Sequence, residues 1–132
     1  MLGASVAGDV VHSPTRCILH ADNIHALKKP PSDVGKMGGK VVSTCPTPVK
    51  EQWNWAQMQR YFGGDRWINV GTYDLAHKFA KKEAIAKSKH VCQSSSDGFR
   101  VIGDGWIVDV DGVQYFALNP VGSRIAYNPC GL

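Results

Sequence analysis

No run of 18 apolar residues occurs anywhere in the 132-residue chain, so the sequence holds no transmembrane helix. No Cys-x-x-Cys pair is present, which argues against zinc-ribbon and thioredoxin-like chemistry. A Gly-x-Ser-x-Gly elbow, a phosphate-binding Gly-rich loop and a dinucleotide fingerprint are all missing. So are zinc-finger spacing, a helix-turn-helix pattern and an aromatic-interleaved RNA motif, so nucleic acid is not expected as a partner. There is no internal repeat and no low-complexity tract. With 43% apolar and 20% charged residues, the chain is neither a disordered tail nor a coiled coil. Its length fits one domain with a core of its own.

What is present is β-rich. Residues 15–20 and 40–45 are β-branched and apolar, and both read as strands. Between them, Pro30, Pro31, Gly35, Gly38 and Gly39 mark a loop. Pro46 and Pro48 are expected to stop the second strand. Residues 49–62 fit a strand, because Val49, Trp53, Trp55 and Tyr61 share parity; a helix is the alternative, and the aromatic content favours the strand. Gly63-Gly64-Asp65 is a turn into a returning strand over 66–70. Residues 74–86 are harder: Leu75, Phe79 and Ala80 have helical spacing, and the pattern favours a short helix by a small margin. The C-terminal third reads as strands over 98–102, 106–110, 113–118 and 124–127, with Asp111-Gly112 a hairpin turn. The sum is an all-β antiparallel sandwich or small barrel of seven or eight strands, with room for one short helix at 74–86. Val42, Val70, Val91, Ile107 and Val113 are expected to face inward. Residues 1–14 read as a flexible N-terminal segment and 15–132 as the single domain. Ser5-Val6-Ala7 has the small residues of a cleavage site, which fits either the end of a removed signal segment or an ordinary N-terminus.

The net charge is +4, and Lys78, Lys81, Lys82, Lys87 and Lys89, against Glu83 alone, concentrate it in one stretch. Such a patch attracts an anionic surface, whether nucleic acid, an anionic lipid envelope or a wall polymer; its plainer use is a solvated face. Four widely spaced cysteines, Cys17, Cys45, Cys92 and Cys130, fit two disulfides in an oxidising compartment, with three pairings open.

No site for catalysis, metal or cofactor stands out. His12, His20, His25, His77 and His90, with Asp22, lack the spacing of a metal site and read as structural or surface residues. His20, His90, Glu51 and Arg100 could serve a small nuclease as base, acid and phosphate clamp, though their spacing does not demand it. Asp109-Val110-Asp111-Gly112 starts like a calcium loop, but Pro120 stands near its far end where glutamate belongs, so a hairpin turn explains it. Trp53 and Trp55, two apart on a strand, share a face and could stack sugar rings, or could be core. Trp67 and Trp106 read more strongly as core.

The order of these pieces resembles a family of small secreted actinobacterial proteins, mostly of unassigned function. The resemblance rests on Cys17, Asp22-Asn23-Ile24-His25, residues 39–45 ending in Cys45, Gln59-Arg60-Tyr61, Val70-Gly71-Thr72, a lysine-rich stretch into Cys92, Asp97-Gly98-Phe99-Arg100 and Cys130. Ile24 and Phe99 depart from the usual proline and tyrosine. The resemblance implies an immunoglobulin-like sandwich with bridges Cys17–Cys130 and Cys45–Cys92, the latter like an inter-sheet bridge. It implies no catalytic residues. The resulting expectation is a secreted, monomeric, non-enzymatic antibacterial protein of bacteriocin type, with an immunity protein in the producer. A carbohydrate- or wall-binding module is the alternative, and the small nuclease the third reading.

Overall fold

A computed structural model describes residues 9–11, 15–93, 98–117 and 119–132. The Ser5–Ala7 motif, His12, Asp97 and Leu118 lie outside the described residues. Nine strands occur among them: β1 (Asp9–Val11), β2 (Ile18–Ala21), β3 (His25–Ala26), β4 (Lys36–Tyr61), β5 (Trp67–Val91), β6 (Gly98–Val108), β7 (Gln114–Phe116), β8 (Val121–Gly122) and β9 (Ala126–Tyr127). Every pairing is antiparallel, and all nine strands belong to one hydrogen-bonded sheet. The fold is all-β, as the composition and alternation lead one to expect.

The sheet is organised by one long hairpin. β4 and β5 run 26 and 25 residues, and the expected Gly63-Gly64-Asp65 turn joins them. All three turn residues have positive φ, and the backbone N–H of Phe62 donates to Arg66 O. Two irregularities break the ladder. At the first, Cys45, Pro46, Thr47 and Pro48 of β4 lie opposite Lys82 alone, because the register passes from Thr44↔Glu83 to Val49↔Lys81. Pro46 and Pro48 therefore do not stop the strand. They occupy a bulge, where a missing N–H costs no ladder bond. At the second, Gly71 and Thr72 of β5 are the extra residues. Gly71 has φ 71°, and a methyl group there would collide with the backbone oxygen of Lys89.

That collision shows what the bulges do: the hairpin folds back on itself. Thr72 Oγ1 accepts from Lys89 N at 2.9 Å and an Asp74 oxygen accepts from Lys87 N at 2.7 Å. One layer holds β1, β2, β3 and the outer parts of the hairpin, residues 36–44 and 83–91. The other holds residues 49–61 and 67–81 with β6 to β9. The core between them joins Leu19, Met37, Val41 and Ala86 to Ala56, Met58, Phe99, Val101 and Val121. The two layers are thus halves of one folded sheet, not the two separate sheets of an immunoglobulin sandwich.

A polar seam crosses the core. Asn54 Nδ2 donates to Val41 O at 2.7 Å and Ala84 O at 3.1 Å. Ser43 Oγ donates to Gln52 Oε1 at 2.6 Å, and Ser88 Oγ accepts from Met58 N at 2.9 Å. Gln52, Asn54, Ser43 and Ser88 are all fully buried. These bonds satisfy polar groups that the bending of the sheet would otherwise strand in an apolar interior.

Four expectations are corrected. The helix at 74–86 is strand β5: Tyr73, Leu75, His77 and Phe79 alternate with Asp74, Ala76 and Lys78, and pairing with β4 on this alternation overrides helix propensity. The bridges are Cys17–Cys45 and Cys92–Cys130, in place of Cys17–Cys130 and Cys45–Cys92. The reason is register: Ile18 pairs with Thr44, so Cys17 and Cys45 are the next facing residues on β2 and β4. The second bridge ties the C-terminal segment to the end of β5. Residues 9–11, placed in the flexible segment, instead form β1 on the edge of β2. Of the five expected inward valines and isoleucine, Ile107 is buried and Val70 packs on the core. Val42 is half-buried between inward Val41 and Ser43, while Val91, at the end of its strand, and Val113, outside the β7 ladder, are exposed.

Candidate functional site

Alternation decides what the second layer shows outward. Gln52, Asn54, Ala56 and Met58 point into the core, so Glu51, Trp53 and Trp55 point out. The ladder then lines up partners from the neighbours. Trp53 lies opposite His77 of β5 and Trp106 of β6, and Trp106 lies opposite Phe116 of β7. Trp55 lies opposite Leu75 and Asp104, and Glu51 opposite Phe79 and Val108. The result is an aromatic face four strands wide.

Its middle is ordered by ring contacts. Trp53 stacks on His77 with centroids 3.5 Å apart, meets Trp106 at 5.3 Å, and Trp55 stacks over Tyr73 at 5.9 Å. Glu51 Oε1 accepts from the Trp53 indole N–H at 2.9 Å and lies 2.6 Å from His77 Nε2. The Trp53 bond, and then His77, hold the Glu51 carboxyl below the usual carboxylate range. The edges remain open: Tyr73, Leu75, Phe79 and Phe116 are 57%, 48%, 61% and 61% exposed. Exposed apolar side chains gathered on one face are a common feature of contact surfaces.

Trp53, Trp55, Trp106, Leu75, Phe116 and Asp104 line a cavity of about 220 Å³ on this face. Asp104 is the carboxylate among its lining residues. Burial raises the Asp104 carboxyl above its ordinary value, while the bond that its Oδ1 accepts from Gly105 N at 2.8 Å pulls the other way. Flat apolar rings around one hydrogen-bonding carboxylate suit a ligand with an apolar ring face and polar edges.

A larger cavity, about 580 Å³, opens farther along the same face between Tyr61, Trp67, Arg100, Ser123, Arg124 and Tyr127. Arg100 shares strand parity with Asp104 and Trp106 and lies opposite Gln59. Its guanidinium sits 4.2 Å from the Trp67 ring centroid, and its Nε donates to Gln59 Oε1 at 2.9 Å.

The other sequence candidates do not converge. Glu51 and Arg100 face positions eight residues apart on β4, about 26 Å at ~3.3 Å per residue. His20 and His90 lie in the other layer; His20 pairs with Asp22 at 2.7 Å, and His90 Nε2 is buried with no hydrogen-bond partner among the described residues. The nuclease set is therefore not assembled. No cluster of three His, Cys, Asp or Glu able to hold a metal occurs among the described residues. Asp109 Oδ1 accepts from the N–H of Asp111 and Val113, which closes the expected hairpin turn.

The lysine patch divides at the bend. Lys78, Lys81, Lys82 and Lys87 are exposed, but Lys78 lies opposite Gln52 in one layer and Lys87 opposite Lys40 in the other. Lys89 is spent on Asp33 at 2.9 Å, which holds the Asp33 carboxyl below its ordinary value. Sequence reasoning found Trp53 and Trp55 but missed Trp106, Asp104 and the β5 side of the face. The period-two alternation of Tyr73, Leu75, His77 and Phe79 is the signal that could have revealed the latter.

Two disulfides fit an oxidising, non-cytoplasmic environment, and no helix among the described residues is long and apolar enough to cross a membrane. No protein-family model and no curated protein sequence matches the chain. Among solved structures, a sporulation control protein from Bacillus subtilis is similar at a TM-score of 0.30 and 9% identity. The alignment covers 81% of this chain and 49% of that one, so the chain spans about half the length of that protein. A similarity this slight carries no function.

Proposed function

We propose that the protein is a secreted, monomeric, non-enzymatic module that binds a wall or envelope glycan through the face built on Trp53, Trp55 and Trp106. The observation that carries this reading is the 220 Å³ cavity among three indoles, open to solvent, with Asp104 as its carboxylate. Sugar rings present an apolar face to stack and hydroxyl groups that donate to a carboxylate. The ring contacts hold Trp53 and Trp106 in place before any ligand arrives, which lowers the ordering cost of binding.

The test is retention of purified protein on insoluble bacterial walls and on polysaccharides of varied composition, followed by tryptophan fluorescence titration. Trp55→Ala is the cleaner variant, because Trp53 also holds Glu51 and His77. Loss of one stacking platform should weaken binding about 10-fold, since aromatic stacking contributes ~0.5–1.5 kcal/mol beyond the area it buries. Sedimentation of the free protein is run beside it. A dimer that covers the aromatic face, or unchanged binding by the Trp55 variant, would end this reading.

A second reading, killing of other bacteria, draws on exposed Lys78, Lys81 and Lys82 at the corner next to this face. Lysine near an anionic membrane is worth about 1 kcal/mol each. Zones of inhibition on a broad strain panel, with and without lysine-to-glutamine substitution at these positions, test it. The absence of inhibition in every strain would leave binding as the whole function.

A further inference from the structure

We infer that the cavity around Arg100 is an anion-binding subsite of the same face, so that the glycan this protein takes is an acidic one, carrying carboxylate or phosphate groups. The inference rests on the glycan reading above and names its substrate class.

Three features of the cavity carry it. First, Arg100 is only 6% exposed, yet among the described residues it forms no ion pair. Its recorded partners are the neutral Gln59 amide and the Trp67 ring. A desolvated charge without a counter-ion is costly, and a guanidinium offers a planar fork that matches carboxylate and phosphate. Burial lowers the Arg100 pKa. Second, Arg124 lines the same cavity with an exposed side chain, while its backbone N–H is already taken by Asn23 Oδ1. Among the described residues that line the cavity, Arg100 and Arg124 are cations and Asp65 is the one carboxylate. Third, its remaining walls include Tyr61, Trp67, Ser123 and Tyr127, which supply ring faces and hydroxyl groups beside the charge.

Position joins this subsite to the aromatic one. Arg100, Ile102, Asp104 and Trp106 follow one another on the outward side of β6. Arg100 and Trp106 are six residues apart, about 20 Å of strand at ~3.3 Å per residue. One oligosaccharide can span both cavities. Asp104 would repel an acid group at the indole end, and the arginines would attract one at the other. The face is therefore polar along its length and sets the direction of the chain that it binds.

The experiment uses three immobilised polymers: polygalacturonate, which carries carboxylates; poly(glycerol phosphate), which carries phosphodiesters; and a neutral β-glucan. At low salt, one of the acidic polymers should bind at least 10-fold more tightly than the glucan, and which one it is identifies the acid group. Arg124→Gln, at an exposed position that leaves packing alone, should remove most of that preference. Arg100→Gln should do the same, and Asp65→Asn should strengthen acidic binding. Trp55→Ala should weaken all binding alike. Equal binding of glucan and acidic polymers, or acidic preference untouched by both arginine variants, would overturn the subsite while leaving the glycan reading intact. A preference abolished only by lysine-to-glutamine changes at Lys78, Lys81 and Lys82 would also overturn it. No binding to any polymer would sink the glycan reading itself.

Discussion

Asn54→Ala should unfold the seam that holds the folded hairpin closed. Asn54 is fully buried on β4, and its amide donates to carbonyl groups on both hairpin strands of the opposite layer, Val41 O at 2.7 Å and Ala84 O at 3.1 Å. Each such bond contributes about 1 kcal/mol net, and stranding its partner in the core adds a desolvation penalty, so the loss should be roughly 2–4 kcal/mol. That is a large part of the ~5–15 kcal/mol that stabilises an ordinary domain. With an unfolding entropy of ~2.1 cal/mol/K per residue, 132 residues give a fall in Tm of about 7–14 °C. Asn54→Asp should cost more: it removes the donor, and Asn54 Oδ1 is already buried with no partner among the described residues. Urea unfolding followed by far-ultraviolet circular dichroism and tryptophan fluorescence gives both numbers, with exposed Thr44→Ala as the neutral control. A loss below about 1 kcal/mol for Asn54→Ala would refute the view that this amide staples the two layers.

Non-reducing peptide mapping should join Cys17 to Cys45 and Cys92 to Cys130; replacing either pair with serine should cost up to about 3.6 and 3.9 kcal/mol in the loop-entropy picture for separations of 28 and 38 residues. Gly71→Ala should destabilise by more than the ~1–2 kcal/mol of a left-handed alanine, because the added methyl also displaces the Lys89 carbonyl; chemical unfolding measures it, and a neutral result would place the bend elsewhere. Asp104→Asn should raise Tm at pH 7 and lose that advantage in acid. A carboxyl whose pKa is raised by folding stabilises fully below its unfolded value, and that contribution disappears as pH rises through the folded value. The asparagine keeps the oxygen that accepts from Gly105 N, so a fall in Tm at pH 7 would contradict the assigned cause.

Local chemistry carried much of this fold. The turns at Gly63–Asp65 and Asp109–Gly112 and the strand character of 49–62 follow from glycine, aspartate and aromatic patterning, and the structure keeps each of them. Two signals were harder to read, and each has a physical cause. Alanine and lysine in residues 76–89 favour helix on their own, and only the hydrogen bonds to β4 outweigh that preference. Pro46 and Pro48 normally end strands, and a bulge long enough to seat both is a feature of the folded hairpin as a whole. The bridge between Cys17 and Cys45 was within reach: each lies at the end of a strand segment where an antiparallel hairpin brings start opposite finish.

The site follows the same division between local pattern and pairing. Shared parity of Trp53 and Trp55 requires only that β4 be a strand, so the two indoles were visible from the start. Whether they stack against the core or face solvent depends on which residues their register partners contribute. Those partners are Trp106 and Asp104 from β6 and His77 and Leu75 from β5. Trp106 read as core because a lone tryptophan in an apolar run usually is. What turns it outward is the alternation of β6, in which Gly103, Gly105 and Ile107 take the inward positions. Gly103 and Gly105 admit no side chain, since a methyl group on either would strike the β4 backbone oxygens of Trp55 and Trp53. The two glycines therefore let β6 lie closely against β4, and that close approach sets Trp106 beside Trp53 and Asp104 beside Trp55. Gly103→Ala or Gly105→Ala would act on the aromatic face from within the sheet, although neither glycine carries a side chain of its own.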